Sequence, residues 1–419
     1  MNALVPLLTR RIGPSTISKP PRNGWLEGGR RTSGELTGIW VTPALLGGRA
    51  GSDMRIGVFI NTPGQLHFYR NIVKGLEDHG HDVSVLVRKY GEMHDLLDQL
   101  DVTYYTYSSN PPSKLGKMLA FPGDLSRAHA YLKRQRVEAV TGFGIYNTLA
   151  DRLLKTPDIV FTDSEPMVNS LSYAVQYRVF THFTDAIITP AAYRQDLGSK
   201  HLRVESYKEM AYLHPNYYTP NPDVYSVLGI AESDDFVLLR FNAFFAVHDV
   251  GIHGFTAEEK IDLVNRLESA AHVFISSEAE VPSAIKGYVI PLPKARIHDA
   301  IYYAKLLVTD TQTMATEAAL LGTPTVRSNT FVGERDMGNF VELEQRYGLL
   351  FNYREPHKAT EKAVELVHQP DVKAQWQAKR ERLLSEKIDI AAFMLWFIEQ
   401  YPESRREFTD NPDVQYRFT

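Results

Sequence analysis

Residues 305–328 read KLLVTDTQTMATEAALLGTPTVRS and contain the pattern that decides the fold. A short apolar run is followed by a polar turn, then by a segment rich in Ala and Leu, and then by GTP before a second apolar run. This order predicts a strand, a helix that begins near Met314, and a second strand. Because a strand, a helix and a parallel strand form a right-handed crossover, the stretch predicts an α/β protein with a parallel sheet.

The same alternation extends along the rest of the chain. RIGVFI at residues 55–60 is followed by the turn NTPGQ and by an amphipathic segment with Phe68, Ile72 and Leu76 on one stripe. Further strands are predicted at DVSVLVR, EAVTGF, DIVFTD and DAIITP in the first half, and at DFVLLRF, HVFIS, YVIPL, KLLVTD and TPTVRS in the second. We therefore expect two doubly wound parallel sheets, whose ligands bind beyond the carboxyl ends of the strands.

A stretch rich in Pro and Tyr, YLHPNYYTPNPDVYSVLG at residues 212–229, separates the two series and is interpreted as a linker. We expect the domain boundary within about ten residues of Pro220. The predicted division is an extension at residues 1–53, an N-terminal domain at 54–215, a C-terminal domain at 216–390, and a C-terminal helix at 391–419 that returns toward the N-terminal domain. The apolar run IAAFMLWFI in this last segment has three interpretations, which are packing across the two domains, against a second copy, or against a membrane surface.

The first 53 residues are rich in Gly, Pro, Ser and Arg and have no apolar period. We interpret them as a disordered extension. The alternative is a misplaced start, because Met54 lies directly before the first strand and is a candidate initiator.

Composition limits the classes of function. The chain has 419 residues, 50 acidic and 46 basic, so its net charge of −4 argues against a nucleic-acid-binding surface. It has no cysteine, which excludes disulfides, thiolate catalysis and cysteine metal sites. No run of 18 apolar residues is present, and we predict no membrane span, no metal and no cofactor.

The helix that begins near Met314 has a polar N-terminus, where backbone N–H groups and the helix dipole favour an anion. Thr311, Gln312 and Thr313 form the turn, and their polar groups can bind phosphate oxygens. Glu317, one turn into the helix, can accept hydrogen bonds from ribose hydroxyls. The alternative is a capped helix without a ligand, in which Thr313 forms a capping box with the residues that follow.

This segment resembles the donor-nucleotide segment of GT-B-fold proteins, whose nucleotide-sugar epimerases have an Asp-Ser-Gly-Gly turn with Glu seven residues after the Asp. Asp310 and Glu317 keep that spacing, whereas Gln312 and Thr313 replace the two glycines. The chain resembles more closely the domain of unknown function 354 family over residues 54–395. The segments that carry this resemblance are MRIGVFINTPGQLHFYRNIVKGLEDHGHDVSVLVR, VFTDSE, YLHPNYYTPNPDV, LLRFNAFFAVHDVG, IHDAIYYAKLLVTDTQTMATEAALLGTPTV and GLLFNY.

The resemblance implies a GT-B-like fold, with two Rossmann-like domains and a cleft between them. It also implies that the N-terminal domain binds the acceptor and the C-terminal domain the nucleotide sugar. The donor-binding residues would then be Arg240, Asn242, His248, Thr311, Gln312, Thr313 and Glu317. The alternative for Arg240 is an ion pair with Asp235. A metal site at His248 and His253 is not favoured, because no further ligands follow at close spacing.

The resemblance also indicates catalytic candidates in the N-terminal domain. GT-B transferases with an alcohol acceptor often use a His after the first strand as general base, and His67 is the matching residue. Its alternative role is that of a half-buried structural histidine, and His298 is likewise interpreted as structural. Asp163 and Glu165 alternate at the end of a predicted strand, so we expect both to face the cleft. The alternative for Asp163 is a helix N-cap.

Three functions fit this pocket. The first is a glycosyltransferase with a nucleotide-sugar donor, acting in the synthesis of surface glycans or glycoconjugates. The second is a non-hydrolysing nucleotide-sugar 2-epimerase, which needs an acid where this chain has VTGFGIYN, so transfer is favoured. The third is a non-catalytic nucleotide-sugar-binding protein. The expected partners are a nucleotide-sugar donor, a glycan or lipid-linked acceptor and a peripheral membrane contact, with a cytoplasmic location at the inner face of the membrane.

Overall fold

The computed structural model describes residues 53–89, 93, 96–97, 102–109, 111, 113–165, 171–242, 254–277, 280–290, 292–293, 296–334 and 336–419. The predicted extension at residues 1–53 lies almost entirely outside these ranges. Two separate sheets, of seven and five strands, are present, and every paired strand in them is parallel. The prediction of two doubly wound parallel sheets is therefore confirmed.

The first sheet has the order β3-β2-β1-β4-β5-β6-β7. Its strands are β1 (Arg55–Ile60), β2 (Asp82–Val87), β3 (Tyr104–Thr106), β4 (Ala139–Gly142), β5 (Asp158–Phe161), β6 (Ala186–Pro190) and β7 (His201–Val204). The central strands β1, β4, β5 and β6 are almost completely buried. Burial on both faces explains why these strands are continuous apolar runs instead of alternating ones.

The helices of this half are α1 (Pro63–Asp78), α2 (Lys114–Gln135), α3 (Ile145–Asp151), α4 (Leu171–Phe183), α5 (Met210–Leu213) and α6 (Val224–Leu228). Helix α1 begins at Pro63, earlier than the turn NTPGQ suggests. Its N-cap is Thr62, whose hydroxyl accepts a hydrogen bond from Gln65 N, and Pro63 supplies a preset φ at the first helical position. His67 therefore lies inside a helix and not in a loop.

The second sheet has the order β12-β11-β10-β8-β9. Its strands are β8 (Phe236–Phe241), β9 (His272–Ser277), β10 (Leu306–Thr309), β11 (Thr325–Ser328) and β12 (Leu350–Tyr353). The prediction of a strand at YVIPL was wrong. A 3₁₀ helix, Ser283–Tyr288, occupies its start, and only a single bridge joins Val289 to Ile275. Pro291 and Pro293 have no N–H to donate to a ladder, which is the physical reason.

The other helices are α7 (Ala257–Leu267), α8 (Ile297–Tyr303), α9 (Thr313–Leu320), α10 (Gly338–Gln345), α11 (Pro356–Val367), α12 (Val372–Glu386), α13 (Ile390–Glu399) and α14 (Glu403–Asp410), followed by the 3₁₀ helix Pro412–Phe418. Helix α9 is followed by Gly322, two residues after its end, which has a φ of +69° that favours glycine. A Cβ there would lie 2.8 Å from Gln377 Nε2 and 2.9 Å from Arg380 Cδ, so the side chains of α12 would have to shift to admit it.

Helix α13, which contains the apolar run IAAFMLWFI, is almost entirely buried and packs against α1. Leu395 contacts α1 at Gly75, and Glu399 bonds to the ring nitrogens of His79 and His81 at 2.6 and 3.1 Å. Of the three interpretations of this run, packing against the first half of the same chain is the one observed. Among the described residues, no helix combines the length and apolar character needed to cross a membrane.

The segment interpreted as a linker is structured. It contains Tyr212 and Leu213 of α5 and all of α6, and Tyr212 is completely buried between α1 and the second sheet's helices. The first part of this stretch is therefore not a linker. The physical reason is that burying its aromatic side chains lowers the free energy more than leaving them exposed to water in a linker would.

In each sheet, the strand order reverses beside the first strand. The reversal lies between β1 and β4 in the first sheet and between β8 and β10 in the second. Ligands of open α/β sheets bind beyond the carboxyl ends of strands at such points. Helix α1 follows β1 and helix α9 follows β10, so both helices begin at these points.

Candidate functional site

The N-terminus of α9 has no side-chain cap. The N-cap residue is Gln312 in a helical conformation, and Thr313 is the first residue of the helix, with an exposed side chain. Thr311 is buried, and its backbone N–H and its hydroxyl both bond to Thr309 Oγ1, at 2.9 and 2.8 Å. The alternative of a capping box is therefore not observed. No side chain among the described residues bonds to the first-turn N–H groups, and a helix end of this kind has a positive potential that favours an anion.

Glu317, one turn further along α9, is buried at 5% exposure. Its Oε1 accepts hydrogen bonds from Tyr212 Oη at 2.7 Å and from His298 Nε2 at 3.0 Å. Burial opposes ionisation, but the charge of His298 and these two bonds hold the pKa of Glu317 below its ordinary value. Both of these bonds are made to Oε1, and no hydrogen bond from another described residue reaches Oε2.

His67 meets this group from α1. Its ring centroid lies 5.1 Å from that of Tyr212 and 5.6 Å from that of His298. Its Nδ1 is enclosed, without a hydrogen-bond partner among the described residues, so a ligand can reach the ring only through its other atoms. We name His67, Tyr212, His298 and Glu317 the junction cluster. Its members come from both halves of the chain, and Tyr212 stands at its centre.

The electrostatics of the junction cluster keep His67 neutral. Burial, His298 and Arg70 lower the pKa of His67 to about 4, and Glu317 opposes them only partly. The guanidinium of Arg70 also lies 5.7 Å from the ring centroid of Tyr212. At neutral pH the imidazole is therefore unprotonated, which is the state that a general base requires.

The low pKa of His67 predicts a pH dependence of stability. Below pH 6.5 an unfolded chain binds a proton at His67, whereas the folded chain resists it until about pH 4. The free energy of unfolding should therefore fall by about 3 kcal/mol through this group as pH decreases across that window. We expect His67→Phe to remove this part of the slope in urea unfolding measured at a series of pH values. Equal slopes in wild type and variant would contradict the burial of a neutral His67.

A second buried group lies beside the junction cluster. Lys208 Nζ is 2.7 Å from Asp163 Oδ2 and 3.3 Å from Glu209 Oε1. Although burial favours the neutral amine, these two carboxylates hold the pKa of Lys208 well above its ordinary value. Burial, together with the charges of Asp163 and Glu317, outweighs the attraction of Lys208 and raises the pKa of Glu209 to about 7. We name Asp163, Lys208 and Glu209 the lysine cluster. It joins the junction cluster through α5, since Glu209 directly precedes that helix and Tyr212 belongs to it.

Glu165 lies elsewhere. Strand β5 ends at Phe161, so the strand alternation expected for Asp163 and Glu165 does not apply. Glu165 Oε1 accepts a hydrogen bond of 2.8 Å from Gly338 N, the first residue of α10, and one of 3.3 Å from Arg194 N. A Cβ on Gly338 would lie 1.8 Å from Ala192 O, so this close contact between the two halves requires glycine. Glu165 thus provides the negative charge that a helix N-terminus favours.

Two donor candidates lie at the end of β8, Arg240 within the strand and Asn242 directly after it. Arg240 Nη1 donates a hydrogen bond of 2.8 Å to Ser276 Oγ on β9, and Asn242 N donates one of 2.7 Å to Asp310 Oδ1. The alternative partner of Arg240, Asp235, instead pairs with Lys305 at 2.6 Å. Burial raises the pKa of Asp310 to about 7, although the bond from Asn242 opposes this.

His248 and His253 lie outside the described residues. Within the described part of the chain, no group of three or more His, Asp or Glu side chains has the arrangement of a metal site.

The sequence and the family resemblance predict His67, Glu317 and the α9 turn as site residues. The structure adds Tyr212, Lys208 and Glu209 to their surroundings, and it places His298, expected to be structural, in contact with Glu317. One signal for Tyr212 was present. The stretch YLHPNYY is more aromatic than a flexible linker, which is typically rich in Gly, Ser or charged residues. Nothing local in the sequence pairs Tyr212 with Glu317, 105 residues away.

Solved structures that resemble this chain include UDP-GlcNAc 2-epimerases and glycosyltransferases. UDP-GlcNAc 2-epimerase from Neisseria meningitidis bound to UDP-GlcNAc aligns with a TM-score of 0.59 at 11% identity, covering 84% of this chain and 100% of that one. MnaA of S. aureus with UDP aligns with a TM-score of 0.59 at 12% identity, covering 85% and 97%. The glycotransferase of kitacinnamycin aligns with a TM-score of 0.55 at 13% identity, covering 83% and 100%. These likenesses establish a GT-B-like fold.

No curated protein sequence matches the chain significantly. A family model does match, and it covers residues 54–335. This range includes the points in both sheets at which the strand order reverses, as well as the junction cluster and the lysine cluster. The chain therefore belongs to the family described as protein of unknown function DUF354.

Proposed function

We propose that the chain is a glycosyltransferase that takes a nucleotide-sugar donor and transfers the sugar to an alcohol acceptor. The observation that carries this proposal is the meeting of His67 from α1 with Glu317 of α9 in the junction cluster. A base from one half then lies beside the ribose and diphosphate pocket of the other half.

In this proposal, the diphosphate binds at the uncapped N-terminus of α9, where Thr313 is exposed. Glu317 Oε2 accepts hydrogen bonds from the ribose, while Tyr212 and His298 fix the carboxylate through Oε1. Arg240, Asn242 and Gln312 remain proposed donor contacts, and Asp163 and Glu165 remain proposed contributors on the first-sheet side. Solved relatives of the same fold that were determined with UDP-GlcNAc or UDP support a nucleotide sugar as the donor class.

His67 takes the proton from the acceptor hydroxyl as that oxygen attacks the anomeric carbon. The bond from the anomeric carbon to the diphosphate oxygen breaks, and the nucleoside diphosphate leaves with the electron pair. The negative charge of the bound diphosphate favours protonated imidazole, so donor binding raises the pKa of His67 toward the range useful for a base. The acceptor is proposed to be a glycan or a lipid-linked alcohol.

Calorimetric titration with UDP and dTDP tests the donor pocket. Glu317→Gln should weaken the affinity by about 1–3 kcal/mol, because a charge-assisted bond to ribose becomes a neutral one. Thr313→Ala should weaken it too and leave the free energy of unfolding nearly unchanged, since Thr313 caps nothing.

The matched control for this titration is Glu355→Gln. It makes the same chemical change at a half-exposed carboxylate that pairs with Lys358 on the surface, so it should leave nucleotide affinity as in wild type. If Glu317→Gln and Thr313→Ala bind every nucleotide as wild type does, the proposed donor pocket is wrong.

The second candidate is a nucleotide-sugar 2-epimerase. It is favoured by the buried carboxyl of Glu209, whose pKa is raised to about 7 and which is close enough to Glu317 to be affected by its charge. The strand end at VTGFGIYN supplies no acid, which favours transfer instead. Epimerisation breaks and remakes a C–H bond of the sugar, whereas transfer does not. Incubation with UDP-GlcNAc in D₂O should therefore leave the recovered nucleotide sugar free of deuterium, and deuterium at C2 would establish the epimerase instead.

A further inference from the structure

The N-terminal half of α2 has an apolar stripe that faces solvent. Leu115, Met118 and Leu119 are 66%, 73% and 74% exposed, and Pro122 is exposed as well. Their spacing of i, i+3, i+4 and i+7 places all four on one face of the helix. On a surface helix such a stripe normally packs on the core. In α2 the core is instead contacted by the C-terminal half, through buried side chains such as Leu132.

The charge around this stripe is positive. The N-terminal half of α2, residues 114–124, contains two basic residues, Lys114 and Lys117, and one acidic residue, Asp124, whereas the whole chain has a net charge of −4. Asp124 is neutralised locally, because it accepts hydrogen bonds from Ser109 and pairs with Arg127. Lys117 is exposed between the apolar side chains. An acidic protein thus presents one helix that is both apolar and basic.

This half of α2 lies at the carboxyl edge of the first sheet. Phe121 contacts the ring of Tyr146 at 5.4 Å, and Tyr146 lies in α3, just beyond the carboxyl end of β4. Arg88, which follows β2, lies 4.5 Å from the same ring. The stripe therefore lies at the carboxyl edge of the first sheet, which is the edge at which α1 begins and near which His67 lies.

We propose that the N-terminal half of α2 docks on an anionic lipid bilayer. Apolar side chains on one face of a helix enter the interfacial region, and basic side chains beside them attract anionic headgroups. A second copy of the chain is a poor occupant, because two like-charged faces repel each other. In addition, the surface area of three exposed side chains is far smaller than the roughly 1,200 Å² that a specific protein–protein interface buries.

Vesicle co-flotation of the full chain tests the proposal with phosphatidylcholine vesicles, alone or with part of the lipid replaced by phosphatidylglycerol. We expect binding to the anionic vesicles that weakens with salt. The triple variant Leu115→Gln, Met118→Gln, Leu119→Gln should lower the partition coefficient about tenfold or more. Lys117→Gln should lower it about fivefold on anionic vesicles. The matched control is Leu153→Gln, an equally apolar side chain at 79% exposure beyond the far end of α3, which should bind as wild type does.

Two results would overturn the proposal. One is equal partition of wild type and the triple variant on anionic vesicles. The other is a wild-type dimer in light scattering that becomes a monomer in the triple variant, without vesicle binding by either protein, since the stripe would then be a self-association surface. Titration of the same variants with UDP in solution separates this question from the proposed transfer reaction, because the stripe contains no donor-binding residue.

Discussion

Replacing His67 by Phe is expected to slow consumption of a bound nucleotide sugar by about 10²–10⁴-fold, the usual contribution of a general base. The aromatic ring keeps the contacts with Tyr212 and His298, whose centroids lie 5.1 and 5.6 Å away, but it has no nitrogen to take a proton. Affinity for the nucleoside diphosphate should stay the same, because the proposed donor contacts lie in the second half of the chain. Release of UDP in a coupled assay measures the rate, and calorimetry measures the affinity.

The matched control for this prediction is His79→Phe. His79 lies at the C-terminal end of the same helix, and its side chain is 47% exposed. It should turn over as wild type does. If His67→Phe retains its rate within about threefold, His67 is a structural residue of the junction cluster and another group is the base.

Replacing Lys208 by Met is expected to lower the free energy of unfolding by about 3–5 kcal/mol, because it leaves Asp163 and Glu209 as buried carboxyl groups without a countercharge. Urea unfolding at pH 7 measures the loss. The loss should shrink at lower pH, since protonation of the two carboxyl groups removes the uncompensated charge.

The control for the lysine cluster is Lys358→Met. Lys358 pairs with Glu355 at 3.5 Å on the surface of α11, and both side chains are about half exposed. A surface pair of this kind contributes about 0–1 kcal/mol. A loss for Lys208→Met that is no larger than that of the control would show that water reaches the lysine cluster and solvates its charges.

Local pattern was sufficient for most of the elements. The apolar runs of β1, β8 and β10 were identified because a parallel strand buried on both faces is written continuously along the chain. The sequence also placed Thr313 and Glu317 together at one end of a helix. Residues four positions apart in a helix lie one turn apart on the same face, so their relative position follows from the helix alone. The apolar pattern alone predicted a strand at YVIPL, which is not formed. A proline in an apolar run removes a backbone N–H that a strand would need for its ladder.

The sequence by itself determined the α/β class and the two sheets, because each depends on residues that are close together in the chain. It proposed Glu317 from its place one turn into a helix, and the resemblance to GT-B proteins proposed His67. The tertiary structure alone decided that these two candidates converge on Tyr212 and His298. It also decided that Glu165 bonds to Gly338 and that α9 has no side-chain cap. The physical reason is that a contact between residues a hundred or more positions apart is set by how two sheets and their helices pack. Packing depends on the shape and burial of many side chains together, which no single stretch of sequence contains.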